Sequence, residues 1–411
     1  MAKNFATLYA TGRDSSSLSH KFFIKEESAP GTLAIPTGAD FIYHQGGSAN
    51  STQPLESSPY KTGRHNTSVI KGKFENEWSL SKFWDIDTTL GSAGLAEIDP
   101  AMRTLMKQAY GTEDTTGSLL KYTVGEPDFN FSVFEIGDMW AKQTPGAFVE
   151  THNQEFPGDG RATTEFAGGS KKALLIGIGQ SNANNNANTV TLESGEGKRF
   201  KVGGLVQIIE TDGTTRSDDT PDGSPRRITS IAGDVVTVDG AVLADADGSS
   251  NPVYLTYYEP DNPVAINNPQ VGLQGSITIS GLSTDCVRSA SVNLTNNHEP
   301  KDFCFGTDDL VGGSGPTFNA VGRADIEVTI ELNLNHELIE YINGLDDLAG
   351  DNIVLFLGDT SSRHLKITIP KVIFPIPAIE VPETGTIPVS FTAMANQTGL
   401  ELADEITYEL L

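Results

Sequence analysis

The chain has 411 residues, 37% hydrophobic and 20% charged, with 42 Gly and 21 Pro, a balance suited to two or three domains of short strands joined by turns rather than to long helices. Asp and Glu number 54 against 28 Lys and Arg, a formal charge of −26, which argues against a surface that grips phosphates, since such a surface needs clustered Lys and Arg. Two cysteines, Cys286 and Cys304, exclude a disulfide framework or a Cys-based zinc cluster and read as buried free thiols.

The first 23 residues, MAKNFATLYATGRDSSSLSHKFF, lack the continuous apolar region of a secretion signal, and the longest apolar runs, such as ALLIGIG at 173–179, fall short of the roughly 20 residues a membrane helix needs. A soluble chain made in the cytoplasm, with no membrane contact, is expected. Residues 1–60 are rich in Gly, Ser, Thr and Pro, with short apolar pieces at 22–24, 32–35 and 40–43, and read as an arm with first strands lying on a neighbour.

From Val69 the stretch VIKGKFENEWSL alternates, with Ile70, Phe74, Trp78 and Leu80 on one parity and Lys71, Lys73, Glu75 and Glu77 on the other, as a strand with one buried and one wet face does. In EIDPAMRTLMKQAYG (97–111), Met102, Leu105, Met106 and Ala109 recur at helical spacing between Asp99-Pro100 and Gly111, which predicts a short amphipathic helix. A strand pair bridged by GEPD comes next in LKYTVGEPDFNFSVFEI (120–136), then strands in GAFVETHNQEF and GRATTEFAGG.

The second half replays this order. DIEVTIELNLN alternates Ile326, Val328, Ile330, Leu332 and Leu334 with polar residues that include Glu327 and Glu331. HELIEYINGL (336–345) supplies a short helix, LKITIPKVIFPIPAIEV (365–381) matches 120–136 with five identities, and GTIPVSFTAMANQ (385–397) mirrors GRATTEFAGG. The identities are Leu120/Leu365, Lys121/Lys366, Thr123/Thr368, Phe129/Phe374 and Glu135/Glu380. The expected architecture is therefore mainly β: two tandem β-sandwich or barrel domains with one short helix each, copy 1 at 61–172 and copy 2 at 270–411. Between them SNANNNAN (181–188) reads as a linker, and the helix-free run of short strands at 185–260 as an inserted small β-barrel on the outer surface.

Catalytic and binding signatures are sparse. His20, His44, His65, His152, His298, His336 and His364 have no metal-binding spacing and read as surface or capping residues. GIGQSN (177–182) is an incomplete dinucleotide fingerprint, and GGSGP (312–316) lacks the Lys and Ser or Thr of a phosphate loop. ETDG (210–213), DDTPDG (218–223) and DADGSSN (245–251) place carboxylates beside glycines but never complete a calcium loop, so Asp-Gly turns are the plainer reading. Lys198-Arg199 and Arg226-Arg227 read as balancing the acids around them. No enzyme, cofactor or metal is expected.

The order GRHNTSVIKGKFENEWSL, helix, KYTVGEPDFNFSVFEIGD, PGAFVETHNQEFPGDGRATTEFAGG, and later VRSASVNLTNN with IPVSFTAMANQ resembles the tail tube (major tail) proteins of long-tailed bacteriophages over about 300 of the 411 residues. The resemblance implies β-sandwich domains, six to a ring, in rings that stack into a tube. With two such domains per chain it implies a homotrimeric, pseudo-hexameric ring of the virion tail, assembled in the host cytoplasm and joined to tip or baseplate and terminator proteins. Genomic DNA would pass through the bore without specific binding, during ejection into the host. On that reading Glu75, Glu77, Glu327 and Glu331 are the candidate lumen-facing residues, the N-terminal arm straps one ring to the next, and an acidic wall keeps the duplex mobile. Another structural virion protein, of capsid or baseplate, and a cell-surface β-sandwich adhesin are the alternative readings.

Overall fold

The computed structural model describes residues 3–11, 20–57, 69–72, 74–85, 99–116, 120–181, 188–217, 224–240, 253–261, 275–280, 282, 287–300, 318–320, 322–345, 350–358, 364–399 and 403–410. Cys286, Cys304, His65, GGSGP, DDTPDG and DADGSSN, and most of SNANNNAN, lie outside the described residues.

The chain begins with α1 (Phe5–Thr11), β1 (Lys21–Glu26), β2 (Phe41–Ile42), β3 (Gly46–Thr52), β4 (Leu55–Ser57), β5 (Val69–Lys71) and β6 (Glu75–Phe83). Then come α2 (Pro100–Tyr110), β7 (Gly111–Asp114), β8 (Leu120–Val124), β9 (Phe131–Ile136), β10 (Ala141–Ala147), β11 (Thr151–Pro157) and β12 (Thr163–Gly169). The middle holds β13 (Leu174–Ile176), β14 (Ile178–Gln180), β15 (Thr189–Thr191), β16 (Leu205–Ile209), β17 (Arg226–Ala232), β18 (Val235–Val238) and β19 (Tyr254–Tyr257). The last part holds β20 (Gly275–Ile279), β21 (Val287–Thr295), β22 (Glu299–Pro300), β23 (Phe318–Ala320) and β24 (Asp325–Asn333). It ends with α3 (His336–Asn343), β25 (Asp351–Gly358), β26 (His364–Val372), β27 (Pro388–Met394) and β28 (Thr407–Leu410). The protein is mainly β, and its named strand pairings are all antiparallel.

Four sheets make up the body, in the strand orders β13-β10-β9-β1-β2, β27-β24-β21-β11-β12-β6-β3, β14-β19-β16-β17-β18-β15 and β20-β25-β26-β28-β8-β7. The seven-stranded sheet turns Trp78, Leu80, Phe166, Val292, Val328, Ile330 and Phe391 inward, against Tyr122, Ile353, Leu355, Ile367 and Tyr408 of the facing six-stranded sheet and Met102, Leu105 and Met106 of α2. The five-stranded sheet is buried on both sides: alternate residues of β9 send Phe131 and Val133 into this first core and Phe134 and Ile136 into a second. Six consecutive buried positions are the signature of such a strand.

Helix α2 forms where periodicity places it, with Pro100 at its first turn and Gly111 at its end. Gly111 has φ +80°, and a Cβ there would collide with the Gly125 backbone, so glycine is required. Helix α3 is capped by Asn335, whose side chain accepts the Leu338 N–H at 2.8 Å.

One ladder occurs twice in the seven-stranded sheet. β12 pairs with β6 from Thr163–Phe83 to Gly169–Glu77, and β27 pairs with β24 from Pro388–Asn333 to Met394–Glu327. The shift is 225 for one strand (163 to 388) and 250 for the other (83 to 333), with no slip in register. β3 pairs with β6 from Gly46–Ser81 to Thr52–Glu75, as β21 pairs with β24 from Ser289–Glu331 to Thr295–Asp325; here 46 goes to 289 and 81 to 331, shifts of 243 and again 250. The triplet β12-β6-β3 thus recurs as β27-β24-β21, in the same direction, with β11 alone between the two. In the facing sheet, Leu120, Lys121 and Thr123 flank β28 on the same rungs as Leu365, Lys366 and Thr368, opposite Leu410, Glu409 and Thr407.

Several expectations change. VIKGKFENEWSL is two strands: β5 pairs with β4 in a small separate sheet, and β6 starts at Glu75, so Lys71 leaves the face that Glu75 and Glu77 occupy. Lys73 lies outside the described residues. β8 and β9 are not a pair; they belong to different sheets because β1 and β10 flank β9 and β7 and β28 flank β8. Residues 373–387, after β26, form no strand at all. The middle region is a six-stranded sheet rather than a closed barrel: among the described residues its outer strands meet only at the Ser181–Leu192 bridge. It begins at Ile178, before the expected boundary at 185, and its core is shared with Phe23, Phe41, Phe134 and Phe5. The described parts of the N-terminal segment pack on their own chain. Phe5 is buried with its N–H bonded to Gly213 O at 2.7 Å, Lys3 pairs with Glu259 at 2.7 Å, and β1 joins β9.

Candidate functional site

The outward face of the seven-stranded sheet gathers carboxylates from four strands or strand ends. Because strand side chains alternate, register alone decides which residues share it. Starting from Glu77, the rungs Glu77–Gly169, Ala167–Thr151, Thr151–Thr295 and Thr295–Asp325 carry the same face across the sheet, from β6 to β24. All four predicted glutamates lie on it: Glu75 and Glu77 on β6, Glu327 and Glu331 on β24. Glu155 on β11, Glu165 on β12 and Asp325 on β24 join them, although sequence reasoning passed over these three. The signal was present, since Glu155 and Glu165 each precede an inward aromatic residue, Phe156 and Phe166.

Carboxylate never stands directly opposite carboxylate. Glu165 faces Asn153 and Ser81, Glu155 faces Ser291 and Thr163, Glu327 faces Asn293 and Met394, and Glu331 faces Ser289 and Ser390. Repulsion is therefore felt along diagonals of roughly 7–8 Å rather than across a rung. The arginines nearest this face sit at strand ends: Arg288 pairs with Glu331 at 2.9 Å, Arg323 with Asp325 at 3.3 Å, and Arg161 stacks over Phe83 at 5.1 Å. Glu75, Glu77, Glu155, Glu165 and Glu327 have no ion-pair partner among the described residues. The one lysine of β6, Lys82, points the other way into the core, where Asp85 lies 2.5 Å and Asp99 3.5 Å away.

Two other places gather polar groups. His152, predicted as a surface or capping residue, is wholly buried: its parity on β11 matches Phe156, not Glu155. Tyr110 Oη and His152 Nδ1 are 2.9 Å apart, Thr164 Oγ1 and Nε2 2.7 Å, and the ring stacks on Phe166 at 4.0 Å. Tyr110 donates to Tyr408 at 2.9 Å and Gln154 also bonds Tyr408, so the cluster ties α2, β11, β12 and β28 together. Burial pulls His152 down to about 3 and pushes Tyr110 well above its ordinary value. A neutral imidazole sealed from solvent meets no substrate and acts as an internal tie.

The second place is a groove of about 630 Å³ along the acidic face, lined in part by Asn50, Glu77, Phe148, Glu150, Gly169 and His298. Glu150 accepts the His298 backbone N–H at 3.1 Å and is raised by burial, while burial holds the His298 ring at about 4. Gly322 N–H donates to His298 Nδ1 at 3.4 Å. Both groups are engaged with backbone, and no nucleophile–base pair stands in the groove among the described residues. Of the Asp-Gly turns, ETDG commits Asp212 to the Thr215 hydroxyl at 2.5 Å and to the backbone N–H groups of Thr215 and Thr214, both at 2.8 Å, which together hold its carboxyl well below the usual range. Arg199 pairs with Glu196 at 2.8 Å, as expected, whereas Arg227 donates to the carbonyls of Gly203 and Leu33. No helix of the described residues is long and apolar enough to cross a membrane. A scan against protein-family models and a search of curated proteins return no match to this chain.

Proposed function

We propose that the chain is a structural subunit of a phage-type tail tube, in which three copies close into a pseudo-sixfold ring, rings stack, and genomic DNA passes through an electronegative bore on its way into the host. On this reading the two halves are copies of one tube domain, the middle sheet decorates the outside, and the particle is assembled in the host cytoplasm. It partners with itself first, then with the proteins that start and end the tail.

The observation that carries the reading is the β12-β6-β3 ladder repeated in the same direction as β27-β24-β21 within one sheet that is open at β27 and at β3. A same-direction repeat is a head-to-tail contact, and such a contact either closes into a ring or propagates without end. Free sheet edges are otherwise an aggregation hazard, which a ring removes. The seven carboxylates on one face fit the bore: a wall that repels phosphate adds no friction, whereas weak non-specific phosphate binding of ~10⁻⁴–10⁻⁶ M, multiplied over many rings, would stall the duplex. Negative-stain microscopy of the purified protein tests the reading. Rings or stacked tubes with three chains per ring support it; a protein monomeric at all concentrations contradicts it.

A further inference from the structure

Residues 376–382 lie beyond β26 as unpaired chain whose apolar side chains face solvent: Ile376 is 64% exposed, Ile379 45% and Val381 75%. Five residues separate this segment from β27. In the first half the five residues before β12 are a turn, and before that turn comes β11. The shift of 225 that carries β12 onto β27 carries Thr151–Pro157 onto 376–382, and it aligns Glu155 with Glu380, Pro157 with Pro382, Gly160 with Gly385 and Phe166 with Phe391. It also aligns buried Gln154 and Phe156 with exposed Ile379 and Val381. β11 is bonded on both sides, to β12 by its hairpin and to β21. Its counterpart has neither bond, and β27 is left as a sheet edge.

We propose that residues 376–382 are the missing eighth strand of this sheet, formed when a second copy of the chain presents its β3 edge. The inference rests on the ring reading and names its joint. β3 corresponds to β21, so the junction β12-β11-β21 inside the chain is the template for β27, 376–382 and β3 of the next copy. Transferring the registers Thr151–Thr295 and Pro157–Ser289 places Ile376 opposite Thr52, Ile379 opposite Ala49, Glu380 opposite Ser48 and Val381 opposite Gly47.

Backbone parity agrees. The bonds from Gly158 N to Arg288 O and from Asn296 N to Glu150 O make the even-numbered residues of β11 the ones that bond β21; their counterparts 377, 379 and 381 would bond β3. On β3 the Ala49 N–H does point outward, where it now donates to Glu135 Oε2 at 2.9 Å; the Ile379 carbonyl would take that place. Pro377 removes one donor from the joint, so Ile379 and Val381 supply its N–H groups. Their side chains would lie on the core face, like Phe156, while Glu380 would join Glu155 and Glu165 on the acidic face. Seven strands and this one make eight per chain, and three chains make 24. At ~4.8 Å per strand that is a circumference of roughly 115 Å before tilt, wide enough for an aqueous bore.

The test pairs Ser48→Cys with Glu380→Cys. Ser48 lies on β3, and the proposed place of Glu380 is beyond β27 at the other end of the sheet; β27 and β3 are roughly 30 Å apart at the usual strand spacing, so a disulfide in the proposed register joins two copies. Oxidised assemblies of the double variant are expected to give covalent dimers and trimers on a denaturing gel, and each single variant none. Val381→Lys, exposed in the single chain, is expected to leave the circular dichroism spectrum and unfolding midpoint unchanged while weakening ring closure by about tenfold or more. Rings that form without the cross-link, or that tolerate Val381→Lys, overturn the joint and leave the ring reading standing. Absence of any wild-type assembly overturns both.

Discussion

At the residue scale the interior is held by polar groups that apolar patterning alone does not reveal. His152 titrates near 3 in the native state against 6.5 for the free group. Its folded value is the lower one, so an acidifying solution protonates the unfolded chain first. The stability it supports is full above pH ~6.5 and falls by up to ~1.4 kcal/mol per pH unit as pH drops toward 3. We expect the urea midpoint to decline through this window, and the decline to be shallower in His152→Gln. Lys82 gives a second prediction. Removing it by Lys82→Met strands Asp85 and Asp99 in the core and is expected to cost about 3–5 kcal/mol in urea unfolding, most of it recovered when both aspartates become asparagine. The misreading of His152 as a surface residue has a simple origin: THNQEF alternates polar with polar, so only Phe156 marks the inward parity, and a single marker is easily missed.

At the element scale, long alternating segments and helices were legible, and short breaks were not. β24 and α2 appear where period-2 and helical spacing place them, since each has four or more apolar residues in phase. The break between β5 and β6 was hidden because Gly72 and Phe74 continue the alternation, while the β4 partner that captures β5 lies beyond any local pattern. The match of 120–136 with 365–381 caught the β8 and β26 strands but misassigned residues 373–381, which pair with nothing in the single chain. The described stretch between β26 and β27 holds no counterpart of the β9–β10 hairpin, so the shift changes from 245 to 225 between the two strands. Close approach also escapes sequence reading. A Cβ on Gly168 would collide with the Phe148 carbonyl, so Gly168→Ala is expected to destabilise by about 1–3 kcal/mol, measurable as a lower thermal midpoint. Removing residues 407–411 deletes β28, the strand that lies between β26 and β8 and joins the β7–β8 and β25–β26 pairs. That truncation is expected to bind a hydrophobic dye and to lose its sharp unfolding transition.

At the whole-molecule scale the proposed ring asks one surface to do two things: its edges would associate and its face would repel. Half of that surface was readable in advance, because Glu75, Glu77, Glu327 and Glu331 lie on strongly alternating strands; the central Glu155 and Glu165 needed the register of β11 and β12. If the face lines a bore, replacing Glu155, Glu165 and Glu327 by Lys in assembled rings is expected to create DNA binding that weakens steeply with salt, while the unmodified protein shows none in the same filter or mobility assay. The central claim is that the repeated ladder of one chain is a third of a closed, head-to-tail sheet. Its most direct test is the symmetry of the assembled particle by cryo-electron microscopy. The account predicts three chains per ring, with the β27 edge of one chain meeting the β3 edge of the next and the seven carboxylates facing inward; six chains per ring, or a ring joined through other surfaces with this face outward, would contradict it.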